Sequence, residues 1–419
     1  MGGFVGYRCS ICGREYGPEE VTYTCPKDGG NLDVILDYRA IRDQYRPEDI
    51  LSSRETSIWR YLPLLPVSGP GVQATPLNTV GWTPLYAPRG LAAALGLREL
   101  WIKDEGRNPT ASFKDRASAL VVARAIEIGA PVIATASTGN AGAALAGMAG
   151  AAGQRAVIVA PKSAPQAKIA QLAIYGAEVV LVDGTYDQAF DLVVEASQAF
   201  GWYCRNTGYN PFTAEGKKTA AFEIWESLLT ELGNRSSSLA IFIPVGDGNI
   251  ISGIHKGFKD LQATGWLQGM PRLFGVQAEG SAAIAHAFLA GGEQIEPVEA
   301  HTIADSISVD LPRDGLRAVR AVRETGGEYE LVSDAEILAA IAELGKAGIF
   351  AEPAGAAAFA GLKKALAQRR IQPDDPVLVL LTGSGLKDVQ AALQAVAQPP
   401  VIPPSLEALR GLGISEGGA

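Results

Sequence analysis

The feature that most constrains the fold of this chain is a regular alternation of short β-branched runs with longer alanine-rich stretches, beginning near residue 97. The alanine-rich stretches have helical spacing and include residues 115–128, 141–152 and 186–199. The short runs are candidate buried strands and lie at 100–102, 131–135, 156–159, 179–182, 241–243 and 377–381. Strands and helices that alternate in this way predict an α/β fold, with parallel-rich sheets flanked by helices on both faces.

The composition indicates a globular protein and argues against two classes of partner. Of the 419 residues, 47% are hydrophobic and 19% are charged, which is enough to bury large cores. The net charge of −9 disfavours nucleic acid, because phosphate binding needs concentrated Lys and Arg. Gly, Pro or charge interrupts each apolar run before it reaches the length of a membrane span. We therefore expect neither a nucleic-acid nor a membrane partner.

The four cysteines are too few for a disulfide framework in a chain of this length. Three of them, Cys9, Cys12 and Cys25, lie in the first 25 residues, and Asp28 follows at the position of a fourth ligand. This spacing predicts a zinc-ribbon-like segment over residues 1–36, since a carboxylate oxygen is an accepted zinc ligand. The alternative is a ribbon without metal that packing holds together. Clustered thiols and an N-terminus without a secretory signal favour a reducing compartment, and we expect the cytoplasm.

Ligands of a parallel α/β sheet bind beyond the carboxyl ends of its strands, where loops and helix N-termini meet. The first candidate loop reads Asn-Pro-Thr-Ala-Ser-Phe-Lys-Asp-Arg over residues 108–116, with a helix predicted to begin close to Lys114. The positive end of a helix disfavours a protonated amine, and a neutral lysine can attack an aldehyde. The alternative is a solvated Lys114 in an ion pair.

Three further loops follow predicted strands. Residues 137–142, Ser-Thr-Gly-Asn-Ala-Gly, offer N–H groups and hydroxyls that suit a carboxylate. Gly246 and Gly248 would let the backbone fold closely around a phosphate at the start of a helix. Thr382 is a hydroxyl at a strand end, where it can hydrogen-bond a ring nitrogen without protonating it. Helix caps and a glycine-rich turn are the alternative interpretations.

Taken in order, these loops resemble the threonine synthase branch of the pyridoxal-phosphate (PLP) enzymes that share the tryptophan synthase β-subunit fold. The resemblance extends over about residues 75–395, and the matching segments are 81–85, 108–116, 136–140, 210–219, 244–249, 351–354 and 381–388. It implies PLP fold type II, with a small mobile domain (111–210) inserted into a large PLP-binding domain (76–110 and 211–395). Residues 37–75, rich in Pro, Arg and aromatics, are predicted to form an irregular arm, and 396–419 a loose C-terminal tail.

The resemblance also implies roles for individual residues. Lys114 would hold PLP as a Schiff base and move protons, Asn140 would bond the ring hydroxyl oxygen, and Thr382 would face the pyridine nitrogen. The remaining implied sites are a phosphate loop of Gly246, Asp247, Gly248, Asn249 and Ile250, and a substrate-carboxylate loop of Ser137, Thr138 and Gly139.

The sequence departs from the family where the substrate phosphate is held. The family's usual segment is Asn-Pro-x-Arg-x-Glu-Gly, but Thr213 replaces the arginine, and Ala141 stands where a hydroxyl is usual. Losing a charge-assisted bond to phosphate costs about 1.5–3 kcal/mol. Arg107 and Lys217 could restore the positive charge, and we therefore expect both in substrate binding.

The resemblance implies a homodimeric lyase of threonine biosynthesis that converts O-phospho-L-homoserine and water to L-threonine and phosphate. An alternative keeps PLP in a β-eliminating or β-replacing enzyme that acts on serine, threonine or a phosphorylated or sulfonated analogue. An alternative from another class is a non-catalytic α/β protein that binds a nucleotide through Gly246 to Asn249.

Overall fold

The computed structural model describes residues 3–164 and 166–413. Its strands are β1 (Phe4–Cys9), β2 (Glu15–Tyr16), β3 (Leu32–Leu36), β4 (Leu85–Tyr86), β5 (Leu100–Asp104), β6 (Ile133–Ala136), β7 (Ala156–Pro161), β8 (Glu178–Val182), β9 (Tyr203–Cys204), β10 (Ala240–Pro244), β11 (Arg272–Ala278), β12 (Tyr329–Val332) and β13 (Val377–Leu381).

Its α-helices are α1 (Tyr38–Gln44), α2 (Pro47–Leu51), α3 (Arg89–Ala94), α4 (Lys114–Glu127), α5 (Asn140–Ala151), α6 (Gln166–Ile174), α7 (Tyr186–Phe200), α8 (Pro211–Lys217), α9 (Thr219–Ile224), α10 (Thr230–Leu232), α11 (Asn249–Ala263), α12 (Ala283–Leu289), α13 (Gly315–Glu324), α14 (Asp334–Lys346), α15 (Pro353–Ala367), α16 (Val389–Ala395) and α17 (Leu406–Gly411). The 3-10 segments are Ile58–Leu64, Pro76–Thr79, Glu105–Arg107, Gly233–Ser238, Asp305–Ile307 and Gly385–Lys387, and Trp225–Leu229 is a π-helix.

The larger sheet has six strands in the order β12-β11-β10-β13-β5-β4. All neighbours are parallel except the edge strand β4, which is antiparallel to β5. Along β10, Phe242 packs into the cluster that contains α15, whereas Ile241 and Ile243 pack into the cluster that contains α11 and α13. Because successive side chains point to opposite faces, the sheet is covered on both sides, which confirms the predicted α/β class.

The second sheet has four parallel strands in the order β8-β7-β6-β9. It lies within the chain between β5 and β10, so the six-stranded sheet is built from residues on both sides of this segment. The prediction of a buried strand at 179–182 was wrong in one respect: β8 forms, but Val180 is 45% exposed and Leu181 is 50% exposed. The reason is its position, since β8 is an edge strand that pairs with β7 alone.

The residues that precede these two sheets in the chain form an N-terminal knuckle and an arm. β1 pairs antiparallel with β2 and β3 in a small sheet. The arm at 37–75 contains α1, α2 and the 3-10 segment Ile58–Leu64, and Ile58, Tyr61 and Leu64 are fully buried in the main core. The predicted tail includes the short helix α17, and its residues 414–419 lie outside the described residues, as do residues 1–2. No helix in the described ranges is long and apolar enough to cross a membrane.

Candidate active site

A cavity of about 400 Å³ lies where the loops after β6, β10 and β13 meet. Lys114 lines it and is the first residue of α4, which confirms the predicted start of that helix. Burial lowers the pKa of Lys114; Asp247 and Glu352 oppose this shift, and the guanidinium of Arg205 adds to it. Within the described part of the chain no carboxylate forms an ion pair with Lys114. The alternative of a solvated, ion-paired lysine therefore does not describe this residue.

Asn140 and Thr382 line the same cavity from two different sheets. Asn140 begins α5, and its Nδ2 donates to Glu352 Oε2 at 2.8 Å and to Ser306 Oγ at 3.1 Å. Thr382 follows β13 and is buried, and its carbonyl oxygen accepts from Phe113 N at 2.8 Å. That bond joins the end of β13 to the residue before Lys114, so it fixes the position of Thr382 relative to Lys114.

The glycine-rich loop between β10 and α11 forms another wall, to which Gly246, Asp247, Gly248 and Ile250 contribute. Gly248 has φ of +92°, and a Cβ there would lie 2.6 Å from the carbonyl oxygen of Asp314. A Cβ at Gly246 would lie 2.9 Å from Ile307 Cα. Both positions therefore need glycine for close backbone approach. The first-turn N–H groups of α11 have no partner within their own helix, so this wall suits a phosphate.

Asn249 and Lys217 lie behind this wall and do not line the cavity. Asn249 Nδ2 donates to Asp314 Oδ2 at 2.7 Å, and its Oδ1 accepts from Lys217 Nζ at 2.6 Å. Arg317 holds Asp314 from the other side, with Nε 2.6 Å from Oδ1. The two predicted residues thus support the loop from beneath in this structure.

The loop after β6 brings Ser137, Thr138 and Gly139 to the cavity, as the sequence predicts. Ser137 Oγ accepts from Gly139 N at 3.3 Å. The structure does not bring Arg107 there. Its side chain is 63% exposed and pairs with Asp104, with Nε 3.2 Å from Oδ2, which is the short-range contact that residues three apart can make on a turn.

Several residues at the cavity carried no signal in the sequence. The loop at 305–310 lines one side without a glycine turn or a helix start that would mark it, and Thr185, Tyr186 and Thr207 line another. Glu352 lies in a segment that matched the family, but its contact with Asn140 depends on a residue more than 200 positions away. Arg205 is fully buried near Lys114. Tertiary packing alone brings these groups together.

The N-terminal cysteines form a second cluster. One ligand atom each from Cys9, Cys12, Cys25 and Asp28 lies within 4.8 Å of the others. Cys12 Sγ is 3.8 Å from Cys25 Sγ, and Cys9 Sγ is 3.3 Å from Asp28 Oδ1. A tetrahedral zinc with bonds of about 2.3 Å to sulfur sets its ligands about 3.8 Å apart. The donor set and its spacing therefore fit a zinc ion.

Comparison with known proteins gives concordant results. A family described as "Pyridoxal-phosphate dependent enzyme" matches residues 77–383. The chain is 39% identical over 395 residues to the threonine synthase of Methanocaldococcus jannaschii, covering 94% of this chain and 95% of that protein. It is 38% identical over 406 residues to the threonine synthase of Methanosarcina acetivorans, covering 96% of this chain and 97% of that protein. Among solved structures, threonine deaminase isoform 2 from Solanum lycopersicum is similar in fold, with a TM-score of 0.64 and 24% sequence identity. The match covers 78% of this chain and 92% of that protein.

Proposed function

We propose a reaction and a set of residue roles on the premise that this chain belongs to the pyridoxal-phosphate-dependent enzymes and, among them, to the threonine synthases. The reaction is the conversion of O-phospho-L-homoserine and water to L-threonine and phosphate. The observation that carries it is the position of the Lys114 amine, with lowered pKa, in a cavity that a phosphate-binding loop also lines.

The residues present fit PLP. The glycine loop and the start of α11 suit its phosphate, Asn140 suits its ring hydroxyl oxygen, and Thr382 suits its pyridine nitrogen. When bound, PLP withdraws electrons from the amino acid and makes protons next to the amino-bearing carbon removable. Thr382 would be a neutral partner for the ring nitrogen, so it would leave that nitrogen unprotonated and temper the electron withdrawal.

Lys114 has two roles in this proposal. Its amine would hold the cofactor covalently and, when free, would remove the proton at Cα of the bound substrate and move protons at Cβ. The lowered pKa keeps a fraction of the amine neutral, which both roles require. Ser137, Thr138 and Gly139 hold the substrate carboxylate. Glu352 positions Asn140, because the carboxylate of Glu352 accepts hydrogen bonds from the side-chain amide of Asn140.

The reaction is tested by product analysis of purified enzyme with O-phospho-L-homoserine, L-serine and L-threonine. We expect phosphate and L-threonine in equal amounts from O-phosphohomoserine. Ammonia release from serine or threonine, without phosphate release from O-phosphohomoserine, would instead identify a β-eliminating enzyme.

We also propose that residues 111–210 move as a small domain over the large domain formed by 76–110 and 211–395. Lys168 of α6 pairs with Asp305 at 2.5 Å, and Lys387 Nζ donates to Gln171 Oε1 at 3.2 Å. These partly exposed polar contacts lie beside the smaller cavity that Thr138, Gly139 and Asn140 also line, and they can break and reform at a modest cost, because pairs that solvent reaches are weak. Small-angle scattering with and without substrate should show a smaller radius of gyration in the bound form.

The protein is further proposed to be a cytoplasmic homodimer. Exposed apolar residues near the C-terminus support the association, since Leu386, Val389, Leu393 and Val396 are all about half exposed or more. The close free thiols at the N-terminus support a reducing location. A light-scattering mass of one chain would contradict the dimer.

The N-terminal knuckle is proposed to bind zinc through Cys9, Cys12, Cys25 and Asp28. We expect about one zinc per chain in protein purified without chelator, and little in Cys12→Ser, because structural zinc needs its thiolate ligands. Elemental analysis measures this, with Cys204→Ser as the matched control because Cys204 is buried in another part of the fold. The PLP content should be unchanged in both variants. Wild-type protein without metal would favour a knuckle that packing holds together.

A further inference from the structure

Arg205 is a fully buried cation with an unused hydrogen-bond donor. It follows β9, and its Nη1 donates to Thr207 Oγ1 at 2.5 Å while its Nε donates to Ser118 Oγ at 3.2 Å. Its Nη2 is buried and has no hydrogen-bond partner among residues 3–164 and 166–413. Burial without a partner is costly for a charged donor, so this nitrogen is available to a group that binds next to it.

The charges around Arg205 identify that group as an anion. The positive charge of Arg205 lowers the pKa of both Lys114 and Lys217, and Asp247 is the acid that acts on all three groups. None of the three cations forms a salt bridge within the part of the chain that the structure describes. Burial lowers the pKa of Arg205 to about 10, so the guanidinium stays protonated at neutral pH. Arg205 is therefore a buried positive charge without a carboxylate bonded to it in the part of the chain that the structure describes.

One anion, the cofactor phosphate, is already assigned to the glycine loop, and Lys217 is committed to that loop through Asn249. Arg205 donates instead to Thr207, and Thr207 lines the cavity. Arg205 itself does not line the cavity, so it reaches it through Thr207 in this structure. A second anion bound there would be a separate group from the cofactor phosphate.

We propose that Arg205, together with Thr207, binds the phosphate of the substrate and so replaces the arginine that the family usually has at the position of Thr213. This inference rests on the proposed function. A planar guanidinium with a free N–H matches a phosphate oxygen in geometry and charge. Thr213 itself lies against the support of the glycine loop, with Oγ1 3.3 Å from Asn249 Oδ1.

Two other arginines are less suited to this role. Arg313 lines the cavity but is already paired with Asp187 at 3.0 Å and is partly exposed. Arg107 is at the surface, where it pairs with Asp104. Arg205 combines burial, charge and a free donor.

The test compares Arg205→Gln with the wild-type holoenzyme. We expect the KM for O-phosphohomoserine and the inhibition constant for inorganic phosphate both to rise at least about tenfold, as loss of a charge-assisted bond implies. The affinity for L-homoserine, which lacks the phosphate, should change by less than about twofold, and so should the Kd of PLP measured by titrating the apoenzyme. Thr207→Val should raise the same two constants by a smaller factor. This variant tests the proposal if Arg205→Gln does not fold. Arg155→Gln, an exposed arginine paired with Glu178, is the matched control.

The outcomes separate this inference from the proposed function. If the wild type releases no phosphate from O-phosphohomoserine, the proposed function fails. If it does release phosphate but neither Arg205→Gln nor Thr207→Val alters the phosphate-dependent constants, the role of Arg205 is overturned. A rise in the Kd of PLP that matches the rise in KM would assign Arg205 to the cofactor phosphate and would also overturn it. If Arg107→Ala raises the phosphate-dependent constants and Arg205→Gln does not, the surface residue Arg107 binds the substrate phosphate and the role of Arg205 is overturned.

Discussion

Replacing Lys114 with alanine should lower turnover of O-phosphohomoserine by about a thousandfold or more and abolish the covalent attachment of PLP. The expectation follows from two losses at one atom. In the proposed mechanism the variant loses both the amine that would hold the cofactor and the base that would remove the Cα proton, and general-base catalysis alone contributes about 10²–10⁴-fold. The cavity places no second lysine among its lining residues in the described ranges, so no neighbouring amine can take over without rearrangement.

Borohydride reduction followed by peptide mapping measures the attachment directly. Wild-type protein should yield a reduced cofactor on the peptide that contains Lys114, and Lys114→Ala should yield none. Lys259→Ala is a suitable control, because Lys259 is half exposed and pairs with Glu324 away from the cavity. Labelling of another lysine in the wild type, or turnover that survives in Lys114→Ala, would disprove the role of Lys114.

Parts of this site were predictable because they depend on local sequence. Short apolar runs followed by glycine or hydroxyl residues mark where a buried strand ends and a helix begins, and such junctions on parallel strands lie at one edge of the sheet. Lys114, Asn140 and Thr382 follow this rule and line one cavity. The glycine loop does so as well, because its backbone conformation needs residues without Cβ.

Other features depend on contacts that the sequence does not encode locally. Residue spacing placed Arg107 near Lys114, but spacing does not specify side-chain direction, and Arg107 turns outward to Asp104. The exposure of β8 follows from its order in the sheet, which the apolar run 179–182 does not reveal. Arg205 is found through a missing hydrogen-bond partner, and that is a property of the folded chain alone.

The charge network beneath Lys114 gives the second large expected effect, this time on stability. Arg116 is fully buried and donates to Glu105 Oε2 at 2.7 Å and to Glu223 Oε1 at 2.5 Å, while Lys103 Nζ lies 2.6 Å from Glu223 Oε2. Two cations thus balance two carboxylates in the core. Arg116 and Lys103 hold the pKa of Glu223 at about 2 despite its burial, so this stabilisation is present at neutral pH and is lost as the pH falls toward that value.

Arg116→Met should lower the free energy of unfolding by about 3–5 kcal/mol, because it leaves an uncompensated buried carboxylate while keeping most of the side-chain volume. Urea denaturation measures the change as a shift in the midpoint.

The double variant Arg116→Met, Glu105→Gln should recover part of the lost stability, since it leaves one cation, Lys103, opposite one carboxylate, Glu223. The single variant should be relatively less destabilised at low pH, where a carboxylate can protonate. Arg155→Met removes an exposed partner of Glu178 and should leave the midpoint unchanged. If Arg116→Met shifts the midpoint no more than Arg155→Met, the network does not stabilise the fold. Because Arg116 is two residues beyond Lys114 on α4, the same loss would also loosen the start of the helix that carries the Lys114 amine.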